Sequence, residues 1–186
     1  MARKKAALRV AFFCYYGCMT LLATITDADI GADYTMPSHP KETRTAVRAF
    51  LFDADGRMAY MWSGREAQHK LPGGGLEGEE TLNQTLVREM CEETGCAIHK
   101  VQYLGYVEEH RGRGAYLQTS HLYMAYVQGK KGTPQFDASE QARAFAVKWL
   151  MPDEARRLTA SENTSPEYGL RFQNARERKL LTFLPE

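Results

Sequence analysis

Pro72 followed by Gly73, Gly74 and Gly75 is the hardest constraint in the chain. Proline has no backbone N–H, and three successive glycines lose the most conformational freedom on ordering, so neither helix nor strand runs through them. The fold must be assembled from the segments on either side. Upstream, KETRTAVRAFLFD partly alternates apolar and polar residues, ADG at 54–56 signals a turn, and RMAYMWSG returns, which predicts a hairpin. Downstream, Thr81 to Thr94 predicts a helix with Gly95 as its C-terminal cap. HKVQYLGYVEEH and AYLQTSHLYMAYVQG read as strands around an RGRG turn. A long loop, GKKGTPQFDASEQARAF, leads to a short strand, AVKWL. PDEARRLTA opens a helix with Pro152 in its first turn, and SPEYGLRFQNARERKLLTFL predicts a last helix capped by Ser165. This order of elements predicts an α/β protein with a mixed sheet.

The predicted helix from Thr81 carries an unusual charge pattern. At about 100° per residue, Leu82, Leu86 and Met90 fall within an arc of about 80°, the buried stripe. Glu89 and Glu93 lie within about 20° of Leu82 on the same face, while Arg88 and Gln84 fall on the outer side. A solvated helix points its glutamates away from the apolar stripe. Two carboxylates roughly 6 Å apart repel by about 3 kcal/mol at an effective dielectric near 20, so a positive partner is expected between them. A divalent cation suits such hard oxygen donors; a helix end satisfied by Arg88 and Lys100 is the alternative. The loop LPGGGLEGEE lets backbone approach a ligand and leads into a helix N-terminus, which favours anions.

Gly74, five positions, Glu80, seven positions and then Arg88-Glu89-Met90-Cys91-Glu92-Glu93-Thr94-Gly95-Cys96 together resemble the Nudix box, G-x5-E-x7-R-E-U-x-E-E-x-G-U with U bulky and aliphatic. Every fixed position matches; Cys96 at the last U is the one departure, and a cysteine packs as a small hydrophobe. The resemblance implies a Nudix fold, a mixed β-sheet sandwiched between helices, over residues 27–186. It implies hydrolysis of a nucleoside diphosphate linked to a group X, with water attacking phosphorus and Mg²⁺ (Mn²⁺ possible in its place) bound. It carries Glu89, Glu92 and Glu93 over as metal ligands, joined by the backbone carbonyl of Gly73 or Gly74. Arg88 would orient a glutamate, and Glu80 and Gly95 would support loop and helix. The general base is a box glutamate, Glu89, or a loop acid, Glu140. Gly74 and Gly75 would approach the phosphates, and Arg48 and Arg65 are candidate phosphate partners, with Arg111 and Arg113 next. Tyr60, Trp62 and Phe145 are candidates to stack a base, or core residues.

Group X is set outside the box. HRGRGAYLQ lacks the proline or tyrosine that ADP-ribose and dinucleoside polyphosphate branches tend to carry at this distance past the box, and the coenzyme A signature is missing. A nucleoside triphosphate, the MutT-like substrate, is the expected choice, with sugar nucleotides or ADP-ribose the alternative. A non-catalytic Nudix module that binds a nucleotide is a reading of another class. An isopentenyl diphosphate isomerase is disfavoured, since no cysteine precedes the box between Lys41 and Gly64. The family is often homodimeric.

A formal charge of +1 over 186 residues leaves no global field for nucleic acid or an anionic membrane. Cys14, Cys18, Cys91 and Cys96 form no zinc pattern and suggest a reducing cytoplasm. Residues 1–26 read as an apolar extension, with an uncharged run from Val10 to Thr26 behind ARKK. Three readings apply: a start-site artefact with Met19 as the true start or a loose extension, a helix packed on the domain, or an export signal.

Overall fold

The computed structural model describes residues 19–162 and 165–184. Residues 1–18, with Cys14 and Cys18, lie outside the described residues. Among the described residues, seven strands form one mixed sheet: β1 (Leu21–Thr26), β2 (Glu42–Phe52), β3 (Met58–Ser63), β4 (Gln68–Lys70), β5 (Ala97–Arg111), β6 (Tyr116–Gln128) and β7 (Phe145–Leu150). The helices are α1 (Leu82–Thr94), the short α2 (Ala138–Ala142), α3 (Pro152–Ser161) and α4 (Tyr168–Leu180). Strand order is β1-β5-β6-β2-β3-β4, with β7 also paired to β3.

β2 organises the domain. Val47, Ala49 and Leu51 alternate onto one face and pack against Leu86 and Met90 of α1. Phe50 faces the other way, into a cluster with Ala155 of α3 and Leu180 of α4. The sheet therefore lies between α1 and the α3–α4 pair. Along one edge β2 pairs in parallel with β6 from Glu42↔Tyr116 to Phe52↔Tyr126.

The other edge of β2 differs from the predicted hairpin. β2 and β3 share a single registered pair, Phe52↔Met58, beside the turn. From there the strands part, and the Pro72–Leu76 loop fills the gap. Its carbonyls take β2 amides: Val47 N–H donates to Gly74 O at 2.9 Å and Ala49 N–H to Pro72 O at 3.1 Å. Leu76 N–H returns a bond to Thr45 O at 3.1 Å. The glycine loop is thus pinned to the central strand, because buried strand amides left without partners would be costly.

Three other elements also depart from expectation. Leu21–Thr26, inside the segment read as an extension, is β1 and pairs in parallel with β5, so the sheet begins six residues before the expected boundary. The long loop contains α2, closed by a reciprocal capping box between Asp137 and Glu140. Ser165 does not cap α4: the N-cap is Glu167, and Ser165 Oγ accepts the Glu167 N–H at 3.1 Å in the turn before it. α1 does start and stop where the residues direct. Thr81 and Gln84 form a capping box, and Gly95, at φ 70°, closes the helix with its N–H on Cys91 O. Among the described residues, no helix is long and apolar enough to cross a membrane.

Candidate active site

The inward face of α1 meets the glycine loop at the edge of β2. Glu89 and Glu93 are both buried there, at 8% and 1% exposure. Glu93 takes Lys70 Nζ at 2.6 Å on one oxygen and the Gly73 N–H at 2.5 Å on the other. The ammonium of Lys70 is therefore the positive charge beside this carboxylate. Burial pushes the Glu89 carboxyl above its ordinary value, and the charge of Glu93 adds to this against the pull of Arg88.

The glycines are required by close approach. A Cβ on Gly73 would lie 2.2 Å from Val47 O, and one on Gly74 would lie 2.2 Å from Glu89 Oε1. Gly74→Ala is therefore expected to fold but to displace the Glu89 carboxylate and lower turnover by about 100-fold, the scale of a misplaced reacting group. Circular dichroism and steady-state kinetics of the variant check this; wild-type kinetics would show that the site tolerates the displacement.

Arg88 departs from its place on the outer side of the helix. Its guanidinium clamps four groups. Nε and Nη2 hold the two oxygens of Glu80 at 2.9 and 3.0 Å. Nη2 also donates to Gly75 O at 2.9 Å, and Nη1 to Glu89 at 2.8 Å and Glu92 at 3.0 Å. Arg88 in turn holds the Glu80 carboxyl down at about 2. Loop, helix and one cavity-facing glutamate are locked together by a single side chain.

The third glutamate is placed differently. Glu92 does not line the cavity; its side chain is 46% exposed and rests on Arg88. Its backbone carbonyl accepts Gln135 N–H at 2.7 Å, which ties the loop before α2 to the end of α1. Among the described residues, no three acidic, histidine or cysteine side chains converge as a ready metal cluster.

In front of Glu89 and Glu93 lies a polar cavity of about 520 Å³. One end is formed by Lys70, Gly73, Glu140, Arg143 and Phe145. Burial raises the Glu140 carboxyl, and Glu93 contributes, which places these acids within electrostatic reach of each other. The Phe145 ring carries Lys70 Nζ at 4.9 Å and the Arg143 guanidinium at 4.7 Å. The other end is formed by Arg44, Arg48, Tyr116 and Gln118 with the first turns of α4. Arg48 is buried, and its guanidinium is lowered to about 10 by burial, then by the charge of Arg176.

Several candidates lie elsewhere. Arg65 is exposed and outside the cavity lining, with its backbone on Arg143 O, because the short β3–β4 turn carries it away from the glycine loop. Tyr60 is core: it is fully buried on the α3 side, with its hydroxyl 2.6 Å from Thr159 Oγ1. Trp62 rests on His69 at 4.6 Å and beneath Lys148, also outside the lining. Arg113 lies over Tyr168, whereas Arg111 does reach the cavity, paired with Glu109. Lys70, Arg44, Arg143 and Arg176 line the cavity and were not singled out in sequence. For Lys70 a signal existed, its place two positions before the Pro72 loop; for the others only tertiary contact brings them in.

Residues 42–169 match the family model of the NUDIX domain. The chain belongs to the Nudix family. A MutT-like protein of Streptomyces ambofaciens is 31% identical over 130 residues, covering 70% of this chain and 75% of that protein. A solved mutator MutT protein from Bacillus halodurans aligns at 19% identity and a TM-score of 0.50, covering 62% of this chain and 72% of that one, a likeness of fold. The MutT-like relative and the family match make this protein a Nudix hydrolase.

Proposed function

We propose that this Nudix hydrolase cleaves the diphosphate bridge of a nucleoside diphosphate derivative, a nucleoside triphosphate first among them, by attack of water at phosphorus. The observation that carries the reading is the pair of buried carboxylates, Glu89 and Glu93, opening on a polar cavity that also presents Lys70 and Arg48. Acids alone would repel a pyrophosphate; acids interleaved with cations can bind one.

The donor set fits a hard divalent ion: two carboxylates and the adjacent Gly73 carbonyl are all oxygen, and Lys70 already holds positive charge against Glu93. Glu89, Glu93 and Gly73 O would hold Mg²⁺ or Mn²⁺, which screens phosphate charge and acidifies the attacking water. Glu92, held away by Arg88, is a weaker candidate than its neighbours. Lys70, beside Glu93 and the Gly73 carbonyl, binds phosphate oxygens and offsets charge that develops as the bridge breaks. Arg88 keeps Glu89 in register with the loop. Glu140 and Glu89 both face the cavity with raised affinity for a proton, so either can take one from water.

The test is phosphate and pyrophosphate release from canonical and oxidised dNTPs, ADP-ribose, dinucleoside polyphosphates and sugar nucleotides, with Mg²⁺ and with Mn²⁺. Metal-dependent turnover of nucleoside triphosphates is the expected result. Silence from the folded, metal-binding protein across the panel would favour a non-catalytic nucleotide-binding module. Glu140→Gln is expected to lower kcat by about 100-fold if Glu140 is the base. Its loss should also remove the acid limb of the kcat–pH profile, which burial of the carboxyl moves above the ordinary 4.5. An unchanged limb would assign the base to Glu89.

A further inference from the structure

The two ends of the cavity differ in their charge balance. At the glutamate end each cation has a partner: Lys70 holds Glu93, and Arg143 holds Glu66. At the α4 end, Arg176 is neutralised by Glu109 and Glu177, and Arg111 by Glu109. Arg44 and Arg48 are different. Arg48 is 4% exposed, yet it donates only to the carbonyl of Val47, and its Nε has no partner. Among the described residues, no carboxylate forms an ion pair with it. Arg44 makes one long hydrogen bond, 3.5 Å to Gln118 Oε1, and its guanidinium lies over Gly75.

Both arginines lie on the same face of β2, four residues apart, so their Cα atoms are about 13 Å from each other along the strand. They line the same cavity as Glu89 and Glu93. A buried guanidinium with no carboxylate bonded to it is unfavourable unless a ligand supplies that partner. Glu177 and Glu93 act on Arg48 through space, but Arg176 and Lys70 already hold them and neither bonds it; the rim acids Glu77 and Glu167 are exposed. Nor is this half built to stack a bare base. The Tyr116 ring already carries the Arg111 guanidinium at 5.2 Å, and the Phe145 ring at the far end carries two cations.

We propose that the substrate bears a second phosphate, separate from the diphosphate bridge, and that Arg44 and Arg48 hold it in the α4 half of the cavity. This rests on the hydrolase reading for its place in the reaction, but the subsite can be probed without turnover. Arg44 reaches in from the exposed start of β2 and Arg48 from its buried middle, so together they select a group on the nucleoside sugar or on X.

The binding test uses the whole chain in EDTA, with AMP, adenosine 2′,5′-bisphosphate and adenosine 3′,5′-bisphosphate titrated by calorimetry. One bisphosphate is expected to bind at least about tenfold more tightly than AMP, the scale of a charge-assisted guanidinium–phosphate contact. Arg44→Ala is expected to reduce that preference to about threefold or less, and Arg44→Lys to restore part of it. Equal affinity for all three ligands in the wild type, or a preference untouched by Arg44→Ala, overturns the proposal. A parallel test compares kcat/KM for NADPH against NADH and for coenzyme A against its dephospho form with Mg²⁺. Turnover of both members of each pair at equal efficiency sinks the second-phosphate subsite and leaves the hydrolase reading standing. A bisphosphate preference in EDTA, with no turnover of any diphosphate, keeps the subsite and sinks the hydrolase reading.

Discussion

Glu93→Gln is expected to lower kcat by about a thousandfold while leaving the fold intact. The side chain is buried, and each of its oxygens is committed: one to Lys70 Nζ, the other to the Gly73 N–H. Glutamine preserves volume and can still accept the Gly73 N–H. It cannot supply the negative charge that pairs with Lys70 and that a divalent ion would need. Groups that stabilise developing charge in a water-poor site are worth about 10²–10³ each, and a thousandfold loss is the upper end for one of them. Stopped kinetics with Mg²⁺ and a direct Mn²⁺ titration check this together. Loss of turnover with metal affinity weakened is the expected pair of results. Full activity in a folded Glu93→Gln protein would refute the assignment of this carboxylate to the metal.

Arg176→Met is expected to cost about 3–5 kcal/mol of stability, the scale for removing one partner of a buried ion pair. Arg176 is fully enclosed between Glu109, at 2.8 Å, and Glu177, also at 2.8 Å, and neither acid is exposed. Glu177 accepts the Leu71 N–H at 2.8 Å, one residue before the glycine loop begins. The network therefore joins α4, β5 and the entrance of the loop. Without Arg176, two carboxylates remain buried: Glu109 keeps Arg111 and Gln118, and Glu177 keeps the Leu71 N–H and the unbonded charge of Arg48. Chemical denaturation measures the loss, and a change below about 1 kcal/mol would mean that the acids find water or protons instead.

The same network sets an acid limit. Burial raises the Glu109 carboxyl, but the charges of Arg176 and Arg111 outweigh it and hold the group below its ordinary 4.5. A depressed folded value contributes stability that is complete above 4.5 and is lost as pH falls below it. Stability of the wild type should therefore drop on acidification through that range, and Arg176→Met should flatten the drop.

Local sequence rules carry part of the candidate site's geometry. The Pro72–Gly75 break, the Thr81 and Gly95 ends of α1 and the two glutamates on its apolar stripe follow from local rules. A capping box, a left-handed cap and a period of about 3.6 residues need only neighbours in sequence. They fix where α1 lies and that Glu89 and Glu93 point inward. The contrast with Arg88 and Glu92 shows where such rules stop. Periodicity gives the direction of a Cβ, and Arg88 has a stem long enough to leave that direction and clamp Glu80, Glu89, Glu92 and Gly75. Once Arg88 takes Glu92, the third box glutamate leaves the cavity.

What only the tertiary structure decided is which distant segments share that cavity. The glycine loop, read as a break in regular structure, is stitched to β2 because the single β2–β3 pair leaves strand amides to satisfy. That stitching brings Lys70 to Glu93 and puts Arg44 over Gly75. The start of α4 and the Glu140 turn close the far walls, from positions more than forty residues beyond the box. The chain itself determined a Nudix helix and a glycine loop that brings backbone against Glu89. The pairing and non-pairing of its arginines depended on contacts across the sheet, which no local pattern records.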